Sequence, residues 1–169
     1  MLIQASSILN MPVGAIDLQS KIGTTKKIVV NHEDGNVLAL VVSTGGLFSK
    51  EKILSTKDIL DFDKNGIVTK SEENLLDIDE ISRVKKILEE NITVIGQNAF
   101  TKSKKKLGKI NDLLIDLGSF FVLKYYIHGF FEDKILPSDK VVKITKEGVF
   151  FSNDVIEKSS LPEVESAAA

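Results

Sequence analysis

The chain has 169 residues, 43% hydrophobic and 27% charged, with a net charge of −2 and no cysteine or tryptophan. The lack of cysteine excludes a disulfide scaffold, a zinc finger, an iron–sulfur protein and a thiol nucleophile, and near-neutral charge argues against a nucleic-acid-coating protein. The longest apolar run is the six residues Val37–Val42, far short of the roughly 20 that cross a bilayer as a helix, and Met1–Asn10 lacks the basic start and apolar stretch of a signal peptide, so no transmembrane segment is expected.

Val13–Leu18 reads as a first short strand, Lys26–Asn31 as a second and Asn36–Ser43 as a third. The turn between the last two is His32-Glu33-Asp34-Gly35, where Asp-Gly is a hairpin signal. Continuous apolarity from Val37 to Val42 predicts a strand buried on both faces or curled in a small barrel. Short strands follow around Lys52–Leu54 and Ile59–Phe62, and Asn65-Gly66 turns the chain into Ile67–Thr69. Six short strands with tight glycine turns in about 60 residues predict a small barrel, which closes its own edges.

The pattern then changes. Leu75, Leu76, Ile78, Ile81, Val84, Ile87 and Leu88 approach helical spacing. Asp77 and Asp79 precede Lys85 and Lys86, as a helix dipole favours. Residues 71–92 hold seven acids and three bases, a net −4. The expectation is an acidic helical connector, packed by one face and solvated on the other, with an acidic partner-binding helix as the alternative.

Beyond the connector the first pattern returns. Leu107-Gly108 matches Ile22-Gly23, Leu113-Leu114-Ile115 matches Ile28-Val29-Val30, and Gly118 matches Gly35. Phe120–Ile127 matches Val37–Val42, Gly129-Phe130-Phe131 matches Gly46-Leu47-Phe48, and Lys134-Ile135-Leu136 matches Lys52-Ile53-Leu54. Lys146-Glu147-Gly148-Val149-Phe150 closes the series opposite Lys64-Asn65-Gly66-Ile67-Val68, the offset drifting from 85 to 82 residues. A repeat this long is duplication of a small domain rather than a solenoid unit. The expected organisation is mainly β: a first barrel over residues 1–70, the helical connector over 71–92, a second barrel over 93–157 and a flexible tail over 158–169.

This ordered set resembles the PRC-barrel family, named for the photosynthetic reaction-centre H subunit. The family habit is an apolar-Gly pair opening a strand, a Gly turn, a long apolar strand, a Leu-Pro pair and an apolar-Gly-apolar close. Here those are Ile22-Gly23, Gly35, Val37–Val42, Leu54 and Gly66-Ile67-Val68, then Leu107-Gly108, Gly118, Phe120–Ile127, Leu136-Pro137 and Gly148-Val149. The first copy departs from it with Ser55 in place of Pro137. The resemblance is to prokaryotic proteins with two such barrels joined by a helix. It implies a non-catalytic docking module, as in the C-terminal domain of a ribosome-maturation factor, the reaction-centre subunit and cell-division adaptors, and no family-wide catalytic site.

The residues nominate no catalytic set and no cofactor. Gly45-Gly46 lacks the Lys-Ser/Thr and helix of a phosphate loop. His32 beside Glu33 and Asp34 reads as a solvated hairpin tip, and His128 as a strand-end residue. Asp61, Asp63, Asn65 and Glu72 occupy positions 1, 3, 5 and 12 of an EF-hand-like calcium loop, but the flanking helices an EF-hand needs are not expected, so a calcium module is the least favoured reading.

Two features mark a candidate partner surface. Lys102, Lys104, Lys105, Lys106 and Lys109, echoed by Lys21, Lys26 and Lys27, read first as a solvated loop and otherwise as a patch for RNA phosphates or an anionic membrane surface. Without arginine or interleaved aromatics, RNA contact would be unspecific. Phe48, Phe130 and Phe131, with Tyr125 and Tyr126, either pack the barrels together, the favoured reading, or anchor a partner. The expectation is a cytoplasmic adaptor for a protein or ribonucleoprotein partner, in ribosome maturation or RNA metabolism. The competing reading is a peripheral membrane-surface or envelope and division scaffold.

Overall fold

The computed structural model describes residues 1–156. In chain order it has β1 (Leu2–Gln4), the one-turn helix α1 (Ala5–Ile8), β2 (Pro12–Ala15), β3 (Ser20–Val30), β4 (Val37–Ser43), β5 (Glu51–Ser55), β6 (Ile59–Asp63) and β7 (Gly66–Thr69). There follow β8 (Leu75–Leu76), α2 (Ser82–Glu90), β9 (Asn98–Thr101), β10 (Lys106–Asp116), β11 (Phe121–His128), β12 (Lys134–Pro137), β13 (Val141–Thr145) and β14 (Gly148–Phe151). The fold is mainly β, as the sequence predicts.

One sheet runs β6-β7-β2-β3-β4-β5-β8 and the other β12-β11-β10-β9-β14-β13, with β1 pairing β10. Six strands of each share one order, read from opposite ends. In both, the parallel pair joins the first strand to the last: β2 with β7 and β9 with β14. The duplication seen in the sequence is therefore a duplication of topology. Each sheet must also curl. Ser55 and Ile59 are joined by only Thr56–Asp58, yet β5 and β6 lie five strand spacings apart, roughly 24 Å in a flat sheet. The link spans at most about 14 Å, so the two edges fold toward each other. Ser138–Lys140 imposes the same on β12 and β13.

β4 explains the apolar run Val37–Val42. Leu40 and Val42 face the large core shared by both halves. Ala39 and Val41 face outward with Val29 and Ile53, where Val84 and Ile87 of α2 cover them. Both faces are dry, so both need apolar residues. The apolar stripe of α2 is thereby spent on its own first sheet, as expected of a connector.

The helix starts at Ser82, later than the expected Leu75. Leu75 and Leu76 instead pair with Leu54 and Ile53 at the edge of β5, and Glu72–Asn74 and Ile78–Glu80 form 3-10 turns. An open sheet edge and a core slot for Leu75 outweigh local helix preference. The halves are knit at their hairpin turns. Val37 N donates to Phe120 O at 2.7 Å and Val122 N to Gly35 O at 3.2 Å. β1, grouped by sequence with the first barrel, lies in the sheet of the second half. Ser6 secures that crossing, its amide and hydroxyl both donating to Asp112 at 3.0 and 2.5 Å. The expected tail, 158–169, lies outside the described residues, as does Glu157. No helix among the described residues is long and apolar enough to cross a membrane.

Candidate functional site

The loop between β11 and β12 and the start of β10 form the site. Gly108 holds φ +148°, and a Cβ there would lie 2.3 Å from His128 O. The missing side chain lets β10 run directly under the root of the loop. Gly129 is pinned equally closely against Glu132 O. The loop therefore leaves the strand abruptly, and Phe130 and Phe131 project from it with 92% and 94% exposure. Their rings meet edge to face, with centroids 4.8 Å apart at 84°, an arrangement that suits the ring quadrupoles. The expectation that these rings pack the barrels together is corrected: adjacent residues of a strand face opposite sides, but this pair lies outside any strand, and both rings face solvent. Phe48, with Leu47 beside it, is likewise exposed. Of that aromatic group, Tyr125 alone enters the core, edge-on to Phe151, and burial pushes its phenol up to about 12.

The base of the loop is fastened by its own polar side chains. His128 Nδ1 lies 2.7 Å from Asp133 Oδ1, and Lys134 pairs with Glu132. Both acids of the loop are thus engaged. Lys105, Lys106 and Lys109 line the same groove of about 820 Å³ as Phe130 and Phe131. Among the described residues none of these three lysines has an ion-pair partner, so the groove is basic with an aromatic wall. Lys102 and Lys104 stay outside it. They sit on the tight turn closed by Thr101 N to Lys105 O at 2.8 Å, where Lys104 takes φ +68°.

The calcium-loop residues do not converge. Asp63 Oδ1 accepts from Asn65 N at 2.7 Å and Gly66 N at 3.2 Å. These bonds, the Asn65 amide foremost, hold its carboxyl below the usual range. Asp61 Oδ1 caps its neighbour, Phe62 N. Glu72 follows β7, whose Thr69 end pairs with Ile59, at the opposite end of the hairpin from Asp63. His32, Glu33 and Asp34 also diverge: His32 approaches Glu90 at 3.6 Å, Glu33 pairs with Arg83 at 3.2 Å, and Asp34 caps Asn36 N. Among the described residues no group of three or more His, Cys, Asp or Glu is placed to hold a metal ion.

Sequence reasoning missed Leu47 as an exposed partner of Phe48 and Glu132 and Asp133 as loop fasteners. The repeat alignment carries the first signal, since Leu47-Phe48 falls opposite Phe130-Phe131. Residues 1–76 match the family model of the PRC-barrel domain. No curated protein matches the chain.

Proposed function

With a PRC-barrel domain occupying the first part of the chain, we propose that the protein is a non-catalytic docking module whose groove at Phe130 and Phe131 captures an acidic surface of a protein or ribonucleoprotein partner. The observation that supports this is the exposed ring pair walled into one groove with Lys105, Lys106 and Lys109. Two phenylalanines held in water on a braced loop represent apolar surface left to be buried by something else. Unpaired lysines beside them steer an acidic partner and speed encounter, while the rings slow its release. The family resemblance points to ribosome maturation or RNA metabolism in the cytoplasm as the setting.

The test is binding kinetics against the partner recovered by pull-down, at two salt concentrations. Reversing Lys105, Lys106 and Lys109 to Glu is expected to slow association and to flatten or invert its fall with salt. Phe130→Ala with Phe131→Ala is expected to speed dissociation by about tenfold or more. Both variants keep the wild-type melting temperature, because every altered side chain is exposed. Wild-type kinetics in both overturns the assignment. Capture by bare anionic vesicles, lost on lysine reversal, moves it to a membrane-surface scaffold.

A further inference from the structure

The first half of the molecule carries a built-in example of how its sheet is covered, and the second half leaves the same face open. Strand register fixes the correspondence. Val29 pairs with Ala39 and Val41 with Ile53 in the first sheet; Leu114 pairs with Lys124 and Tyr126 with Ile135 in the second. In the first sheet these four outward positions are fully buried under Val84 and Ile87 of α2. β8 closes the edge of β5 through Leu76 opposite Ile53, and Lys52 Nζ holds Asp77 at 2.8 Å. In the second sheet Leu114 and Tyr126 are half-buried, Lys124 is exposed and Ile135 is 57% exposed. Among the described residues nothing pairs the outer edge of β12.

We infer that the outer face and free edge of β11–β12 dock an acidic strand-then-helix segment of a partner protein, in the manner that residues 72–91 dock on β4–β5. The chemistry is set by one substitution and one retained lysine within the repeat. Lys124 stands where the first half has Ala39, and Lys134 stands where Lys52 binds Asp77. A helix laid there must therefore offer a carboxylate to Lys124, and one to Lys134 in competition with Glu132, as well as an apolar stripe to Tyr126 and Ile135. The edge can accept it: Ile135 and Leu136, which correspond to the bridging Ile53 and Leu54, both keep their amide N–H, and the proline begins only at Pro137. Strand addition and helix-in-groove docking are the two modes combined here. This face shares only Lys134 with the Phe130–Phe131 groove, so the two surfaces fail independently.

The probe is a synthetic peptide of the chain's own residues 72–91, titrated into the full chain, with a control peptide whose Asp and Glu are changed to Lys. The tethered copy of that segment already occupies the first sheet at millimolar effective concentration, which leaves the second sheet to the peptide. Saturable binding is expected, with amide shifts at Leu123, Tyr126 and Ile135 and none with the control. Ile135→Glu is expected to weaken it at least about tenfold and Lys124→Glu to weaken it most at low salt, while Phe130→Ala leaves it unchanged. Both face variants alter exposed residues and keep the wild-type melting temperature. No saturable binding at millimolar peptide, or binding indifferent to Ile135→Glu, overturns the inference. Binding that appears only after truncation behind Ile156 also overturns it, in favour of the chain's own C-terminal residues.

Discussion

The two halves share a strand order but not a way of finishing the sheet. The first spends a helix and a two-residue strand on closing its outer face and edge; the second leaves them open and places lysines around them. The contrast extends to the loop tips. Leu47-Phe48 follows Gly45 and Gly46, both left-handed in open space, whereas Phe130-Phe131 is braced by Gly108, Gly129, the His128–Asp133 hydrogen bond and the Lys134–Glu132 ion pair. Duplication thus yields one half whose outer face is covered and one whose outer face and aromatic tip stay exposed.

The sharpest test of that contrast is the glycine under each tip. Gly108→Ala is expected to cost about 4 kcal/mol, because the new Cβ meets the His128 carbonyl at 2.3 Å on a backbone at φ +148°. Gly23→Ala, at the equivalent place, is expected to cost about half as much. Its closest obstacle, at 2.4 Å, is the Val42 side chain; the backbone obstacle, Ser43 O, stands farther off at 2.8 Å, and Gly23 is outside the left-handed region. Urea midpoints at constant m-value measure both. Equal losses would erase the distinction between the braced and the loose tip.

The next effect concerns the covered and open faces. Ile87→Ala empties a slot against Val29, Ala39, Val41 and Ile53 and is expected to cost about 3 kcal/mol. Ile135→Ala, at the position equivalent to Ile53, removes a side chain that is 57% exposed and is expected to change stability by less than about 0.5 kcal/mol. A large loss at Ile135 would mean the second face is not open in the free protein.

Much of this was legible in the sequence. The ordered glycines and apolar runs identify the repeat, the all-β class and the strands, because period-two burial and tight turns leave local marks. The run Val37–Val42 even announces burial on both faces, though not that α2 supplies the second cover. What local pattern cannot reveal is competition from distant groups. Leu75 and Leu76 fit a helix stripe until the edge of β5 is present to pair with them. Leu2–Gln4 carries no sign that its partner lies more than 100 residues away in β10. The candidate site was half legible: Lys105, Lys106, Lys109, Phe130 and Phe131 were nominated as two separate features. Only the close approach at Gly108 merges them, and Lys102, Lys104 and Phe48 stay outside that groove.

The smallest difference between the halves lies in their cores and is read with pH. Leu40 pairs with Ile28 in the first sheet, and Tyr125 takes the corresponding place opposite Leu113 in the second. Burial raises the Tyr125 phenol to about 12 from its ordinary value of 10.0, so the folded chain holds that proton more tightly than the unfolded chain. Stability from this source is therefore complete below pH 10 and falls as the pH climbs from about 10 toward about 12. A rise of about two units corresponds to between about 2 and 3 kcal/mol. Lysine deprotonation acts over the same range but is common to any variant, so the comparison is wild type against Tyr125→Phe. The variant is expected to lose less stability over this interval, by that amount, in urea melts at stepped pH. Phenolate absorbance of the native wild type should show one tyrosine titrating only well above pH 10. Parallel pH profiles for the two proteins would mean that water reaches the second core, and that its barrel is no drier at this position than its open outer face.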